Sequence, residues 1–361
     1  MLGYDRFLDE YRMTGRGNIS PITVILPKLG LDYGIALGKR KNADIEGYFK
    51  ALEDTLELVG RELVARTNYI GKQSPKSAPF IYDIEMVLDA DKSKNADNVM
   101  ETIKHGTNAL GLLGMAECCV AMFGKHHGES IEAYKFAMRV VRLFKKKADE
   151  FADRYNLNFS VYYTPAENLC KTACQTLKLY YGEVKGVTDR KYLTNSIHIP
   201  VYYQVDAYTK IALEAPFTQY GTGGCITYVE VDNNAIHNKK AMEKLIDFAM
   251  DLNIPYLAIN FPINTCLACG TTFNEDREKC PNCGSTDLEM LKRVTGYITG
   301  NYKTAFNEGK KQEAEQRVVH NIFNPDSIPV LKEAYGELIN MGILDKAELG
   351  GLIDASKGFE L

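Results

Sequence analysis

The sequence lacks tryptophan, long apolar runs and any excess of basic residues. No apolar run approaches the roughly 18 to 20 residues of a transmembrane helix, so no membrane-spanning helix is predicted. Lysine and arginine total 43 against 47 aspartates and glutamates, a formal net charge of −4, which does not favour a nucleic-acid-binding surface. The amino-terminal MLGYDRFLDEYR is charged and has no apolar signal core. These absences predict a cytoplasmic protein that acts on small molecules or other proteins.

The composition is that of a globular chain large enough for a substantial core. Of its 361 residues, 45% are hydrophobic and 25% charged, and nine cysteines are too few for a small disulfide scaffold. The length is compatible with one large domain or two ordinary ones.

Predicted strands alternate with predicted helices, which favours an α/β architecture, either a barrel or a sheet. Residues 105–124 are rich in small side chains and predict a strand or tight turn that leads into a buried helix. The other strands are predicted at residues 22–26, 158–165, 197–205, 225–232 and 254–261, and the other helices at 45–67, 131–156, 166–182 and 239–252.

Four cysteines follow the last predicted strand in the pattern C-x2-C-x10-C-x2-C. Each pair can direct two thiolates at one ion, and the loop between the pairs can complete a tetrahedron, so a structural zinc site is predicted. An iron–sulfur cluster and four unrelated thiols are the alternatives. The four predicted ligands are Cys266, Cys269, Cys280 and Cys283, and a glycine follows each pair.

Gly296 interrupts a β-branched and aromatic run, KRVTGYITGNY, just beyond this cluster. A glycine there is usually a bulge or a turn. However, a glycine Cα has no side chain to crowd it, and it gives up a hydrogen atom easily because the resulting radical is delocalised over the adjacent amide and carbonyl groups. Gly296 is therefore a candidate radical carrier.

The motif R-V-x-G-Y at residues 293–297 resembles the radical loop of glycyl radical enzymes. With the four-cysteine motif before it and FNEGKKQEAEQRVVH after it, the chain is similar to the carboxyl-terminal part of the anaerobic, class III ribonucleoside-triphosphate reductases. Further blocks that carry the resemblance are GRGNISPITVILPKLGL, GTNALGLLGMAE, GKHHGES, YTPAEN, LTNSIHIP, APFTQYGTGGCITYVEVD and IPYLAINFPINTCLACG.

This resemblance implies a ten-stranded α/β barrel, of which the chain would supply the second half and the radical loop. It divides the chain into a catalytic barrel portion at 1–265, a zinc module at 266–290, a radical loop and carboxyl-terminal segment at 291–323, and a helical tail at 324–361. The tail is expected to lie outside the main core.

The resemblance also implies a reaction and partners. A separate activase with a 4Fe-4S cluster and S-adenosylmethionine would remove hydrogen from Gly296, and the radical would then oxidise a cysteine to a thiyl that attacks the 3′ hydrogen of a ribonucleoside triphosphate. Formate or a dithiol would supply the electrons, the product would serve DNA synthesis, and the enzyme would be a homodimer.

Further site residues are predicted in loops. Asn18 matches the asparagine of the family's GRxN motif, which is suspected of orienting formate or the ribose hydroxyls. Asn195 and Ser196 in LTNS, with Gly223 and Gly224, could bring polar groups to a triphosphate. Ordinary turn roles are the alternative for all five residues.

The chain departs from the family pattern in its first seventeen residues, which contain no cysteine where the family carries M-G-C-R. Tyr4 stands roughly at that position, and the thiyl role is not transferred to it. A regulatory domain that binds ATP or dATP and the first barrel half would precede residue 1 of a full-length member. The resemblance thus implies a truncated, split or inactive member.

The remaining candidate ligands are given ordinary structural roles. His126 and His127 are predicted to be polar surface or capping residues. Five cysteines within apolar patterns are predicted to be buried and inert, namely Cys118, Cys119, Cys170, Cys174 and Cys225.

Three functions compete. The first is an oxygen-sensitive reductase polypeptide that is active with a complementary half. The second is an inactive, zinc-stabilised binding or regulatory subunit, which the absent thiol favours and the intact RVTGY loop disfavours. The third is another glycyl radical enzyme such as a lyase, against which the four-cysteine and TNS motifs argue.

Overall fold

The computed structural model describes residues 3–232, 237–275, 277–294, 296–299 and 301–345, with the backbone alone for residues 297–299. The strands are β1 (Gly3–Asp5), β2 (Glu10–Arg12), β3 (Asn18–Ile25), β4 (Thr107–Leu113), β5 (Asn158–Tyr163), β6 (Thr227–Glu230), β7 (Leu257–Asn260), β8 (Ile263–Cys266), β9 (Thr272–Phe273), β10 (Leu288–Val294) and β11 (Tyr297–Thr299). The helices are α1 (Leu26–Tyr33), α2 (Ile45–Gly71), α3 (Pro79–Asp83), α4 (Ala90–Lys94), α5 (Met100–Ile103), α6 (Met115–Phe123), α7 (Ile131–Tyr155), α8 (Glu167–Tyr181), α9 (Ala207–Thr218), α10 (Lys239–Asp251), α11 (Tyr302–Ala305), α12 (Glu308–Gln316) and α13 (Ile328–Asn340).

Parallel strands form the centre of the fold. Strand β4 lies between β3 and β5, and β6 pairs in parallel with β7. A single parallel bridge between Tyr162 and Gly224 connects the two groups. The mixed α/β class is confirmed, whereas no closed ten-stranded barrel is present in the described part of the chain.

The long helices begin where polar side chains satisfy free backbone N–H groups. Asp44 accepts a hydrogen bond from the backbone of Gly47 at the start of α2, and Ser130 accepts one from Ala133 at the start of α7. The apolar stripe of α2 is buried in the main core, as its spacing predicts. Helix α2 packs against β3 and β4, and α7 packs against β5.

Two expectations about secondary structure are wrong. Residues 197–205 form turns and irregular chain instead of a strand, although Ile197 and Ile199 are buried. Pro200 cannot donate to a ladder, and the nearby backbone bond runs from Val318 to the carbonyl of Val201. Residues after β3 form α1, a helix that the sequence does not predict; Pro27 lies in its first turn, where the missing N–H has no helical partner to lose.

The first helix of the tail also differs from expectation, because α13 belongs to the main core. Its buried side chains pack against α9, and Leu338 and Tyr335 are fully buried. Helix α9 is buried on every side and therefore needs a cover, which α13 provides. The second helical pattern of the tail, at residues 346–356, lies outside the described residues.

A second, antiparallel sheet has the order β11-β10-β8-β9. The first half of β10 pairs with β8, where Leu288 lies opposite Cys266, and its second half pairs with β11, where Val294 lies opposite Tyr297. Strand β10 therefore runs across the predicted boundary at residue 290. Strand β10 therefore belongs both to the sheet that contains the four-cysteine motif and to the RVTGY hairpin. In the described part of the chain no helix is both long enough and apolar enough to cross a membrane.

Candidate active site

Gly296 lies at the tip of the β10–β11 hairpin. Val294 of β10 pairs with Tyr297 of β11, so Gly296 lies in the turn between the two strands. Gly296 is exposed. The apparent defect in a strand is therefore a turn residue whose Cα is accessible.

Glu167 is the side chain nearest to this glycine. A Cβ built on Gly296 would lie 2.8 Å from Oε1 of Glu167 and 3.9 Å from its Cδ, with no other described heavy atom within 4 Å except those of its own chain neighbours. Glu167 is the first residue of α8, and residues 164–166 connect it to the end of β5. The hairpin tip and the carboxyl end of the parallel sheet are thus in contact.

Arg317, just beyond α12, fixes the base of the hairpin. Its Nη1 donates hydrogen bonds to the carbonyl oxygen of Arg293 at 2.7 Å and to Oε1 of Glu230 at 2.8 Å. Its Nη2 donates to Oε1 of Glu313 at 3.2 Å. A guanidinium can hold several acceptors at once in a fixed geometry, so one side chain joins β10, β6 and α12.

Asn195 stabilises the start of α8. Its Oδ1 accepts a hydrogen bond of 2.8 Å from the backbone N–H of Ala166, and the side chain is buried. On the other side of Glu167, Oδ1 of Asn168 accepts a bond of 2.7 Å from Nδ2 of Asn307. The three consecutive residues 166–168 therefore contact the LTNS loop, the RVTGY hairpin and the FNEGK segment in turn.

Ser196 lies in the same buried loop with an unusual backbone. Its φ is +38°, and its carbonyl accepts a hydrogen bond of 3.1 Å from Met115. The neighbouring Thr194 donates from both its backbone and its hydroxyl to Oε1 of Glu117, at 2.9 and 2.7 Å. Burial raises the pKa of Glu117 despite these bonds. The TNS segment is therefore rigidly held beside the site.

The glycine run at residues 221–224 pairs with β5. The N–H of Gly223 donates to the carbonyl of Val161 at 2.6 Å, and that of Gly224 donates to the carbonyl of Gly221 at 3.0 Å. A Cβ on Gly223 would collide with Oγ of Ser160. The close approach of this segment to β5 explains why residue 223 is a glycine. The N–H groups of Gly223 and Gly224, which were predicted to bind a triphosphate, instead donate hydrogen bonds within the chain.

Asn18 is exposed at the amino end of β3, where it pairs with Thr107. Gly296 contacts Glu167 beyond the carboxyl end of β5, which runs parallel to β3 through β4. Asn18 therefore lies at the opposite end of the sheet from the hairpin tip.

A buried polar cluster lies behind the hairpin, around a cavity of about 30 Å³ lined in part by Asn195, Tyr228 and Arg317. Glu214 accepts hydrogen bonds from Lys210 at 2.6 Å and from the backbone of Ile199 at 3.0 Å, and its other oxygen lies 3.2 Å from Nδ1 of His198. Burial opposes its ionisation, but the charges of Lys210 and His198 outweigh this effect and lower the pKa of Glu214.

His320 closes the cluster and has a depressed pKa. Its Nδ1 accepts a hydrogen bond of 3.0 Å from the backbone of Glu230, which fixes the neutral tautomer. Burial is the main cause that lowers its pKa to about 3. The imidazole is therefore neutral at physiological pH.

The four predicted metal ligands come together as the spacing indicates. All four Sγ atoms lie within 4.8 Å of one another, and the Cys266–Cys283 and Cys269–Cys280 pairs are each 3.6 Å apart. Sulfurs about 3.8 Å apart are what a tetrahedron with Zn–S bonds of about 2.3 Å requires. The cysteines therefore fit a zinc ion, which would stabilise the sheet that contains β10. The glycines after each pair adopt positive φ angles of +72° and +73°.

The other five cysteines are buried, as predicted. Burial raises the pKa of Cys118 and of Cys225 to about 12, so neither thiol is activated. The surface position expected for His126 and His127 is wrong, because both are buried. The capping alternative fits His126, whose Nδ1 accepts a hydrogen bond of 3.1 Å from the backbone of Gly128. Nε2 of His127 lies 2.8 Å from the carbonyl of Ile197, and burial lowers the His127 pKa to about 4.

Sequence reasoning missed Glu167, Arg317 and the Lys210–Glu214–His198 cluster as site residues. Glu167 lies in the block YTPAEN and Arg317 in FNEGKKQEAEQRVVH, so the blocks that carry the resemblance contain them. The residue types alone gave no reason to choose them over neighbouring charged residues.

Comparison with known proteins decides the family. The sequence model of the family described as anaerobic ribonucleoside-triphosphate reductase matches residues 3–320. The chain belongs to this family. Anaerobic ribonucleoside-triphosphate reductases from Salmonella typhimurium and Escherichia coli are 34% and 33% identical to it, each over 85% of the chain. The chain spans 43% of the length of each of these two reductases.

Solved structures of anaerobic ribonucleotide reductases have the same fold. One covers 86% of the chain with a TM-score of 0.68 at 20% identity, and the match spans 46% of that structure. The Thermotoga maritima enzyme with glycerol in its active site covers 84% of the chain with a TM-score of 0.65 at 19% identity, over 47% of its own length. The α/β arrangement is therefore that of this reductase family.

Proposed function

We propose that this chain is the radical-carrying part of an anaerobic ribonucleoside-triphosphate reductase. The observation that carries the proposal is the single strand β10, which links the four-cysteine sheet to the hairpin that presents Gly296. Zinc would stabilise the sheet from which the hairpin extends, and Arg317 holds the hairpin against the parallel strands. In this proposal, Gly296 stores the radical.

The proposed reaction replaces the 2′ hydroxyl of a ribonucleoside triphosphate with hydrogen for DNA synthesis in the cytoplasm. A radical-SAM activase with a 4Fe-4S cluster removes one hydrogen atom from Gly296. With formate as the reductant, formate and one proton are consumed and carbon dioxide and water leave, which balances the two electrons; a dithiol would instead become a disulfide. Asn195 orders the start of α8 beside the nucleotide, and Asn18 stays a weaker candidate at the far end of β3.

No cysteine precedes Cys118 in this sequence, so none of the first 117 residues can carry the thiyl radical. The cysteines from Cys118 to Cys225 are buried, and the remaining four form the metal cluster. We propose that this thiol and the other strands of a ten-stranded barrel come from outside these 361 residues, from a further segment or a complementary polypeptide, in a homodimer of such units. An inactive, zinc-stabilised subunit is the second candidate.

Radical formation separates these candidates. After incubation with activase, S-adenosylmethionine and a reductant under anoxia, the chain should give the doublet electron paramagnetic resonance signal of a glycyl radical. Gly296→Ala should remove the signal and leave the metal content unchanged, whereas Gly336→Ala, in α13 with open space around it, should keep the signal. A folded, zinc-loaded chain without the doublet would favour the inactive subunit.

The variant Gly296→Ala is a fair test because it should fold. The atom that a new methyl group would approach is the carboxylate oxygen of Glu167, the mobile end of a long side chain. This oxygen can move aside at little cost. Turnover of ribonucleoside triphosphates, measured with and without the complementary polypeptide, then tests the reductase activity itself.

A further inference from the structure

The four-cysteine site is open to solvent on one side. Cys266 and Cys280 are buried, whereas Cys269 and Cys283 are exposed. Four thiolates carry two more negative charges than one zinc ion neutralises, and a thiolate is the nucleophilic form of cysteine. The two exposed sulfurs are therefore the ones that an oxidant or an alkylating agent reaches first, unless hydrogen-bond donors stabilise their charge.

Two polar side chains contact the sulfur of Cys269. Oγ1 of Thr271 lies 3.2 Å from its Sγ, and Nδ2 of Asn282 lies 3.8 Å from the same atom. The amide also donates a hydrogen bond of 3.2 Å to the hydroxyl of Thr271. Because a zinc-bound thiolate has no proton to donate, the hydroxyl must donate to the sulfur. Asn282 in turn holds the hydroxyl in that direction.

The side chain of Asn282 links the two cysteine pairs. Asn282 lies between Cys280 and Cys283, whereas Thr271 follows the first pair by two residues. The backbone N–H of Asn282 donates to Sγ of Cys280 at 3.4 Å, a contact that any residue except proline could make there. Asparagine is also an ordinary turn residue. A turn role, however, does not require the amide group to reach the opposite pair.

The other exposed sulfur, that of Cys283, provides an internal comparison. The side chain hydrogen-bonded to it is that of another cysteine, Cys266, at 3.6 Å. Among the described residues, no hydroxyl or amide side chain donates to Cys283 as Thr271 does to Cys269. The two exposed sulfurs of one metal site therefore differ in their surroundings.

We propose that Thr271 and Asn282 protect the zinc-bound thiolate of Cys269 from alkylation and oxidation. Thr271 donates to the sulfur, and Asn282 is a positioning residue that orients this hydroxyl. A hydrogen bond to an ionised acceptor is strong, and it reduces the charge that the sulfur offers to an electrophile. Removal of such an outer partner typically changes metal affinity about 10–100-fold. The inference rests on the zinc site of the proposed function and is independent of the radical at Gly296.

The test follows the reaction of each cysteine with iodoacetamide in the zinc-loaded full chain. In this reaction an S–C bond forms, the C–I bond breaks and iodide leaves. Samples are quenched at intervals, mass spectrometry gives the initial labelling rate of each cysteine, and a coloured chelator measures the zinc that is released. In wild type, Cys283 should be labelled before Cys269.

The variants Thr271→Val and Asn282→Ala should both remove this difference. The initial labelling of Cys269 should become about tenfold faster, and zinc should be released sooner, because the sulfur loses its donor or the orientation of that donor. Asn282→Asp keeps a turn-forming side chain without an amide donor, so it should resemble Asn282→Ala. Thr286→Val, at an exposed threonine of the same module, should resemble wild type.

Labelling of the buried Cys118 shows whether a variant has unfolded, and Thr271→Val, which keeps the side-chain shape, decides the matter if Asn282→Ala does unfold. Wild-type labelling of Cys269 in the folded variants would overturn the protective role. An Asn282→Asp protein that behaves like wild type would assign Asn282 to the turn alone and overturn its positioning role. A wild-type chain that binds no zinc would overturn the metal site itself, whereas a zinc-loaded chain without the doublet signal would contradict only the radical function.

Discussion

Arg317 donates a hydrogen bond of 2.7 Å to the carbonyl oxygen of Arg293, three residues before Gly296. The same guanidinium contacts Glu230 and Glu313. One largely buried cation therefore links the hairpin to β6 and α12. Because that cation is paired with two carboxylates, its removal leaves negative charge without a partner.

The variant Arg317→Ala should lower both stability and radical yield. Breaking a buried ion pair by removing one partner typically costs about 3–5 kcal/mol. Arg317→Lys should recover only part of the loss, because one ammonium cannot reach the same acceptors in the same geometry. Chemical unfolding and the intensity of the doublet signal measure the two effects.

A surface arginine provides the control for this prediction. Arg12→Ala removes a guanidinium that pairs with Glu10 at 3.0 Å in the exposed β1–β2 hairpin. Exposed pairs contribute about 1 kcal/mol or less, so stability and signal should stay close to wild type. If Arg317→Ala behaved like Arg12→Ala, the anchoring role would be wrong.

Loss of one zinc ligand should disturb the hairpin through β10. Cys280→Ser should bind less than the one zinc per chain expected for wild type, and both the unfolding temperature and the radical yield should fall. Cys174→Ala, a buried cysteine of α8 outside the cluster, should retain zinc. Elemental analysis checks the metal. Iron in place of zinc would overturn the assignment of the metal. A normal radical yield in the zinc-free variant would show that the hairpin does not depend on the metal.

The sequence predicted those features of the fold that depend on local chemistry. The cysteine spacing identified the metal cluster, and the apolar spacing of residues 45–67 and 131–156 identified α2 and α7. It could not show that residues 197–205 lack a strand partner. An alternation of apolar and polar residues indicates which side chains are buried, and in this segment the burial comes from loop packing. Nor could it show that Glu167 and Gly296 are neighbours, because that contact depends on how α8, α12 and β10 pack together.

Acid should destabilise the protein through its buried histidines. Burial lowers the pKa of His127 to about 4 and that of His320 to about 3, against about 6.5 in an unfolded chain. Below pH 6.5 the unfolded state binds protons that the folded state does not. Stability is therefore complete above pH 6.5 and falls as the pH drops toward 4, by roughly 2 kcal/mol per histidine between pH 7 and pH 5.

The histidine contribution is measured by urea unfolding at pH 7 and pH 5. His127→Gln should reduce the difference between the two pH values by about 2 kcal/mol, whatever its effect on stability at pH 7. His237→Asn changes an exposed histidine and should leave the difference unchanged. A difference that stays the same in His127→Gln would mean that His127 is protonated in the folded protein.

The tail helix α13 can be tested as a part of the main core by truncating one of its buried side chains. Leu338 is fully buried against the α9 side of the core, and replacing it with alanine should cost about 2–5 kcal/mol because a cavity is left. Leu179→Ala, at a leucine of α8 that is 82% exposed, should change stability by no more than about 0.5 kcal/mol. Urea unfolding measures both variants. If the two behaved alike, α13 would be a separate appendage, as the sequence suggested, and α9 would need another cover for its apolar surface.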